Sequence, residues 1–151
     1  MNLDRDLIYC AASFADRDAL FDTLAQDLIE RGYVKEDYSR ALKEREASFP
    51  TGLPIPGGVA IPHTDASHVL KDTIAVVTLA EPLEFGEMGG APDDVVKVSL
   101  VLLLVLADAA GHVKFLSTTI KAIQDAEFVL ALTSSTSVDT IMHVIANKLS
   151  I

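Results

Sequence analysis

The sequence has little that could cross-link a fold or bind nucleic acid. Its 151 residues include one cysteine, Cys10, and no tryptophan. No disulfide can therefore form within the chain, and a reducing compartment is expected. Lys and Arg total 12 against 22 Asp and Glu, which gives a formal net charge of -10. Nucleic acid and anionic membrane surfaces repel a chain with this balance and no basic run, so neither is an expected direct partner.

Long apolar runs and a secretory leader are also missing. The longest apolar stretch, LVLLLVLA at 100–107, is too short to span a bilayer and is typical of a buried strand. The N-terminal MNLDRDL is acidic and lacks the layout of a signal peptide. These features predict a cytoplasmic protein. Half of the residues are hydrophobic, which is enough for residues 1–151 to bury the core of a single domain.

What is present is an alternation of strand-like and helix-like segments. The predicted strands are 7–12, 59–61, 73–80 and 95–107, and the predicted helices are 16–31, 36–49, 112–124 and 137–149. Residues 50–58 and 81–94 are predicted as loops, the second with a short strand at 83–85, and 127–132 fits a helix or a strand. Too few residues join 59–61 to 73–80 for a helical crossover. The predicted fold is therefore α/β, a mixed β-sheet sandwiched between α-helices.

Two helix details bear on the site. Ser13 and Asp16 have the spacing of a capping box at the start of the first helix. The second helix has a predicted apolar stripe of Tyr38, Leu42 and Phe49, and Arg45 falls on that stripe. A charge at such a position must snorkel, pair, or face something other than the core.

Two of the four histidines follow predicted strands. His63 comes after 59–61 through Pro62, and His112 comes after 95–107 and opens the third helix. Ligands of open α/β sheets bind outside the carboxyl ends of strands, so parallel neighbouring strands would bring these imidazoles together. The helix N-terminus near His112 would add N–H donors for an anion, and Arg45 would add a guanidinium fork. This set suits phosphoryl transfer, with a neutral imidazole as nucleophile.

Each residue also has an ordinary explanation. Pro62 can simply end a strand, His112 can simply begin a helix, and Arg45 can pair with Glu44 or Glu46. The combination at one predicted sheet edge favours a site. The other two histidines fit that edge less well: His143 lies off the apolar stripe of the last helix, and His68 lies in a connection.

Three segments resemble a known family when taken together. REASFPTGL (45–53), GVAIPHTD (58–65) and GHVKFL (111–116) are similar to the fructose/mannitol-type enzyme IIA domain of the bacterial phosphoenolpyruvate-dependent sugar phosphotransferase system, in wording closest to its galactitol-type members. The resemblance covers nearly the whole chain. It implies a mixed sheet flanked by helices, no cofactor or metal, and contact with the membrane only through a transporter complex.

The resemblance also implies a mechanism. The domain would accept a phosphoryl group from the phosphocarrier HPr on Nε2 of His63 and pass it to the enzyme IIB component. His112 and Arg45 would support the phosphoryl oxygens. Thr64 and Asp65 are candidates for orienting the other ring nitrogen of His63, although capping is the commoner use of such an aspartate.

Two alternatives of other classes stay open. A nitrogen-type IIA module keeps the phosphorylated histidine but regulates other proteins. A metal-dependent hydrolase could use His63, Asp65, His68 and His112 as ligands, although HTDASH has no recognised ligand spacing. An α/β domain with inert histidines would need three family motifs to coincide by chance.

Overall fold

Five strands and five helices make up the chain, whose computed structural model describes residues 1–151. The strands are β1 (Ile8–Ala12), β2 (Gly52–Leu53), β3 (Val59–Ala60), β4 (Thr73–Gly86) and β5 (Val95–Val105). The helices are α1 (Arg17–Glu30), α2 (Tyr38–Ser48), α3 (Ala109–Ile123), α4 (Ala126–Thr133) and α5 (Val138–Leu149). Short 3₁₀ turns cover Arg5–Leu7 and Ala66–His68. None of the helices is long and apolar enough to cross a membrane.

The strands form one mixed sheet in the order β1-β4-β5-β3-β2. β1 runs parallel to β4, β4 runs antiparallel to β5, and β3 runs parallel to β5. β2 closes the other edge antiparallel to β3. The predicted mixed sheet is confirmed, and β3 and β5 are the parallel neighbours that the site needs.

Alternate residues of the central strands face two separate apolar layers. Ala75 and Val77 of β4 pack with α1 and α2, whereas Ile74 and Val76 pack with α3, α4 and α5. This period of two is what the pleat dictates. A strand covered on both faces reads as a continuous apolar run, which explains the sequence of β5. The helices therefore sandwich the sheet, as predicted.

The first two helices differ from their predicted details. Asp16, not Ser13, caps α1, because its carboxylate accepts a hydrogen bond from the backbone N–H of Ala19. On α2 the buried stripe is Tyr38, Leu42 and Glu46, spaced by four. Arg45 and Phe49 lie one position off that stripe and are exposed, so their predicted place on the inward face is wrong.

Three further segments differ from the predicted strands, helices and loops. β4 continues through Gly86 and pairs Leu83–Gly86 with Val95–Val98, so residues 81–86 of the predicted loop at 81–94 form a hairpin arm that includes the predicted short strand at 83–85. The sequence 127–132 is helical, because Asp125 caps α4 and accepts from the N–H of Glu127. Within the predicted loop 50–58, Gly52–Leu53 forms β2.

Candidate active site

The parallel register of β3 and β5 brings His63 and His112 together. Val59 pairs with Leu100, and the alignment persists to a parallel bridge between His63 and Leu104. The chain turns after β5 into α3, whose first turn carries His112. The two imidazole rings meet edge to face, with centroids 4.9 Å apart and planes inclined by 76°. The predicted convergence of the two histidines is therefore what the structure shows.

One nitrogen of His63 is committed to the backbone. Its Nδ1 lies 2.8 Å from the carbonyl oxygen of Ile61. A carbonyl oxygen only accepts, so Nδ1 carries the proton and donates, and Nε2 keeps its lone pair. The side chain is 7% exposed, which fixes the ring in this orientation. His63 is thus held in the tautomer that makes Nε2 the nucleophilic atom.

Thr64 and Asp65 do not orient this ring. The hydroxyl of Thr64 donates to the backbone carbonyl of Asp65. The Asp65 carboxylate caps the turn Ala66–His68 by accepting from the N–H of Ser67 at 3.0 Å. The expectation that they hold the second nitrogen of His63 is wrong, since that nitrogen lies 2.8 Å from the carbonyl oxygen of Ile61. Capping is the use of Asp65.

Both imidazoles are kept neutral. Burial lowers the pKa of His63 below its usual 6.5, and the nearby His112 and Arg45 lower it further, against the raising effect of the Ile61 hydrogen bond. Burial also lowers the pKa of His112, with Arg45 adding to that effect and Asp65 opposing it. A neutral His63 at neutral pH is what a nucleophile requires.

Arg45 supplies an uncommitted positive charge beside the histidines. It lines the same pocket as His63, together with Ser48, Phe49, Pro50, Thr51, Met88, Gly89, Gly90 and Leu116. Its guanidinium makes no ion pair and no hydrogen bond within the chain and lies 4.7 Å from the ring centroid of Phe49. Arg45 is therefore free to bind an anion, and pairing with Glu44 or Glu46 does not occur.

Glu46 has a structural task next to Arg45. Its buried carboxylate accepts from the backbone N–H of Thr51 at 2.9 Å and from the Thr51 hydroxyl at 2.9 and 3.0 Å. This fastens the turn after α2 to the helix. Because Arg45 and Glu46 are adjacent on a helix, their side chains diverge, one toward the pocket and one into the core.

The helix N-terminus contributes less than expected. α3 begins at Ala109, so His112 is its fourth residue and does not open it. The Asp108 carboxylate accepts from the N–H of Ala110 at 3.1 Å. That carboxylate occupies one of the donors predicted for an anion and places a negative charge at the cap. The positive potential at the site therefore comes chiefly from Arg45.

The hairpin tip between β4 and β5 forms a wall that sequence reasoning missed. The N–H of Met88 donates to the carbonyl of Gly52 at 2.8 Å, which ties the tip to β2. Met88, Gly89 and Gly90 then face the pocket of His63. The tip reaches the pocket because β4 extends to Gly86. The prolines and glycines of residues 81–94 had favoured a loop there instead of a strand.

The remaining histidines lie outside the pocket. His68 points its Nδ1 at a carboxylate oxygen of Asp37, 2.9 Å away, and His143 is exposed on α5 near Asn147. No three His, Cys, Asp or Glu side chains are placed so that they could hold a metal ion. The ligand set of the hydrolase alternative is therefore not assembled, because His68 turns toward α2.

The fold is an α/β domain with one mixed sheet, and His63, His112 and Arg45 lie together at one edge of that sheet. The family model described as "Phosphoenolpyruvate-dependent sugar phosphotransferase system, EIIA 2" matches residues 1–148. The chain belongs to this family, which confirms the resemblance seen in the sequence.

Two curated relatives illustrate the family. The galactitol-specific EIIA component of Escherichia coli (strain K12) is 29% identical over 121 residues, covering 80% of this chain and 79% of that protein. The transcriptional regulator ManR of Bacillus subtilis (strain 168) is 33% identical over 138 residues, or 90% of this chain. The match covers 20% of ManR, so the chain spans about a fifth of that regulator's length.

Solved structures share the fold over nearly the whole chain. The crystal structure of IIA mannitol from Escherichia coli has a TM-score of 0.77 at 23% identity and covers 97% of this chain and 100% of that chain. The nitrogen regulatory protein IIA-Ntr from Neisseria meningitidis has a TM-score of 0.78 at 26% identity and covers 95% of each chain. A complex of enzyme IIAMTL with phosphorylated enzyme IIBMTL from Escherichia coli matches at 0.78 and 23% identity, over 97% and 98% of the two chains.

Proposed function

We propose that this chain is the phosphoryl-carrier EIIA component of a sugar phosphotransferase system. It takes a phosphoryl group from phospho-HPr onto Nε2 of His63 and hands it to an EIIB component. The observation that carries the proposal is the hydrogen bond from Nδ1 of His63 to the carbonyl of Ile61. It leaves a neutral imidazole with its Nε2 lone pair available.

The chemistry balances without any proton leaving the site. The Nε2 lone pair forms a bond to phosphorus as the phosphorus–nitrogen bond of the donor phosphohistidine breaks, and the released electron pair stays on the donor's ring nitrogen. The ring of His63 keeps its Nδ1 proton, and the carbonyl of Ile61 stabilises the positive charge that the ring gains. In the transfer to EIIB, a nucleophilic side chain of EIIB forms a bond to phosphorus as the bond from phosphorus to Nε2 of His63 breaks, and the electron pair of that bond returns to Nε2.

The neighbours of His63 serve the phosphoryl oxygens. Arg45 has guanidinium N–H donors that no other group of the chain uses, so they can bind oxygens whose charge is spread over the transferring group. His112 contacts the ring of His63 and can donate one ring N–H to the same oxygens. These two residues position and stabilise, whereas His63 forms the covalent bond.

The test is a phosphorylation assay with phosphoenolpyruvate, enzyme I and HPr, read by intact mass. We expect one added phosphate on the wild type, on His112→Ala and on the control His143→Ala, whose side chain is exposed on α5. His63→Ala should gain none. A wild type that gains no phosphate, or a His63→Ala variant that does, would contradict the proposal.

A regulatory role is the second candidate, because the similarity to ManR covers 90% of the chain. A regulatory module would also be phosphorylated, so acceptance of a phosphoryl group does not distinguish it from a carrier. Transfer of that group to an EIIB component does distinguish them. The similarity to the galactitol-specific component supports testing a galactitol-type EIIB first. Rapid dephosphorylation by a sugar EIIB supports the carrier role, and retention of the phosphate with every sugar EIIB supports the regulatory one.

A further inference from the structure

Phe49 is an aromatic side chain that the core does not use. It is 61% exposed, although it follows α2 directly and lies beside the pocket of His63. It belongs to neither apolar layer of the sheet. The ring lies against the guanidinium of Arg45, whose central carbon is 4.7 Å from the ring centroid. A solvent-exposed phenylalanine at this place therefore has a neighbour but no packing role.

The local backbone fixes that neighbour. The N–H of Phe49 donates to the carbonyl of Arg45 at 2.7 Å and closes the last turn of α2. The following Pro50 disfavours the helical conformation for Phe49, whose φ of -134° and ψ of 79° end the helix there. Residues four apart lie on one side of a helix, so the ring lies beside the guanidinium of Arg45.

The contact with Phe49 restrains the guanidinium without consuming its donors. The central carbon of the guanidinium lies over a ring that has no oxygen or nitrogen acceptor, so the five N–H groups stay available to an anion. Arg45 has no ion pair to hold it, and a long side chain otherwise loses rotamer entropy when a phosphoryl group captures it. The ring therefore holds the guanidinium in place before the phosphoryl group binds. A carboxylate partner could also hold it, but would occupy the N–H donors that the phosphoryl oxygens need.

We infer that Phe49 is a positioning residue that holds the guanidinium of Arg45 at the mouth of the His63 pocket. The expected effect of Phe49 on the rate of phosphoryl transfer rests on the proposed function. Its structural content, that the ring restrains Arg45, is separate and can be measured in the unphosphorylated protein.

A contact with the donor protein is the rival explanation for the exposed ring. Met88 lines the same pocket and is 38% exposed, so an apolar rim is available to a partner. A rim contact would change the concentration of phospho-HPr that half-saturates transfer. A positioning residue would change the rate at saturation, and only while Arg45 is present.

The kinetic test is a double-mutant cycle in single-turnover transfer from saturating phospho-HPr. We expect Phe49→Ala to slow transfer about twofold to fivefold, the range of a cation–π contact at an exposed site, and Phe49→Trp to restore the rate. The same substitution in an Arg45→Ala background should have no further effect. Leu130→Ala removes a side chain of similar exposure, 64%, from α4 and should leave the rate unchanged.

The second readout needs no phosphoryl transfer. The guanidinium of Arg45 lowers the pKa of both imidazoles; His63 also faces His112, and His112 faces Asp65. A released guanidinium spends less time near them, so Phe49→Ala should raise both imidazole pKa values in an NMR titration, and Phe49→Trp and Leu130→Ala should not.

The outcomes separate the explanations. Slower saturated transfer that disappears in the Arg45→Ala background, with raised imidazole pKa values, supports the inference. An unchanged titration overturns it, as does an effect confined to half-saturation or an effect that persists without Arg45. A shifted titration in a protein that accepts no phosphate would contradict the proposed function and leave the role of Phe49 intact.

Discussion

The imidazole of His63 and the imidazole of His112 lie edge to face, with ring centroids 4.9 Å apart, although 48 residues separate them in the chain. The parallel pairing of β3 with β5 creates this relationship, because it sends both strands to the same edge of the sheet. The Ile61 carbonyl then selects the tautomer of His63. Strand register and one backbone acceptor thus place His63 beside His112 and leave its Nε2 unprotonated.

The first prediction concerns the pH dependence of phosphoryl acceptance. Burial lowers the pKa of His63 from 6.5, and only the neutral ring has a free Nε2 lone pair. As the pH falls from 8, acceptance should therefore decline with a midpoint below pH 6.5. Single-turnover rates with saturating phospho-HPr measure this, corrected for hydrolysis of the donor alone. A decline centred above 6.5 would contradict a lowered pKa.

The second prediction concerns the guanidinium. Arg45→Lys keeps the positive charge but loses the planar fork and the guanidinium that lies over the Phe49 ring. We expect transfer at saturation to fall about tenfold, the loss of roughly one charge-assisted hydrogen bond to the phosphoryl oxygens. Arg40→Lys on the same helix is the matched control, because its side chain is exposed and lines no part of the pocket. Equal rates for Arg45→Lys and the wild type would show that charge alone suffices.

The third prediction concerns the turn after α2. Glu46→Ala leaves the N–H and hydroxyl of the buried Thr51 without their acceptor. Unpaired buried donors cost about 1–3 kcal/mol, so the free energy of unfolding should fall by that amount. The exposed neighbour Glu44→Ala should change it by less than about 0.5 kcal/mol. Urea unfolding of both variants makes the comparison, and equal stabilities would remove Glu46 from this role.

The fourth prediction compares two glycines with positive φ. Gly58 has a φ of 66°, and a Cβ there would collide with the backbone carbonyl of Lys97. Gly32 has a φ of 78° with nothing within 4 Å of an added Cβ. Gly32→Ala should cost only the left-handed strain of about 1–2 kcal/mol. Gly58→Ala should cost more and should also impair phosphorylation, because Gly58 precedes the strand that leads to His63. Thermal unfolding of the two variants tests the order of the two costs.

The sequence predicted the mixed sheet and the convergence of His63 and His112 because both follow from strand pattern and chain direction. It misplaced Arg45 and Phe49 on the buried face of α2, since four-residue spacing fits two neighbouring stripes and only packing against the sheet chooses between them. Glu46 lies on the stripe that is buried. Its carboxylate accepts a hydrogen bond from the Thr51 hydroxyl, a contact that no hydrophobic pattern predicts.

The hydrophobic pattern of the sequence also predicts neither the hairpin wall nor the carbonyl that accepts from His63, for another reason. Met88 reaches the pocket only because β4 and β5 pair beyond an irregularity between Thr78 and Leu83. The carbonyl of Ile61, two residues before His63, accepts from Nδ1, whereas adjacency in sequence pointed to Thr64 and Asp65. Both features depend on backbone geometry that follows from pairing rather than from residue type.

The most direct test is NMR of ¹⁵N-labelled protein phosphorylated by phospho-HPr, with the histidine resonances assigned by substitution. The account predicts one phosphohistidine, at His63, bonded to phosphorus through Nε2, with its Nδ1 still protonated. Phosphorus on Nδ1 of His63, or on His112, would contradict it.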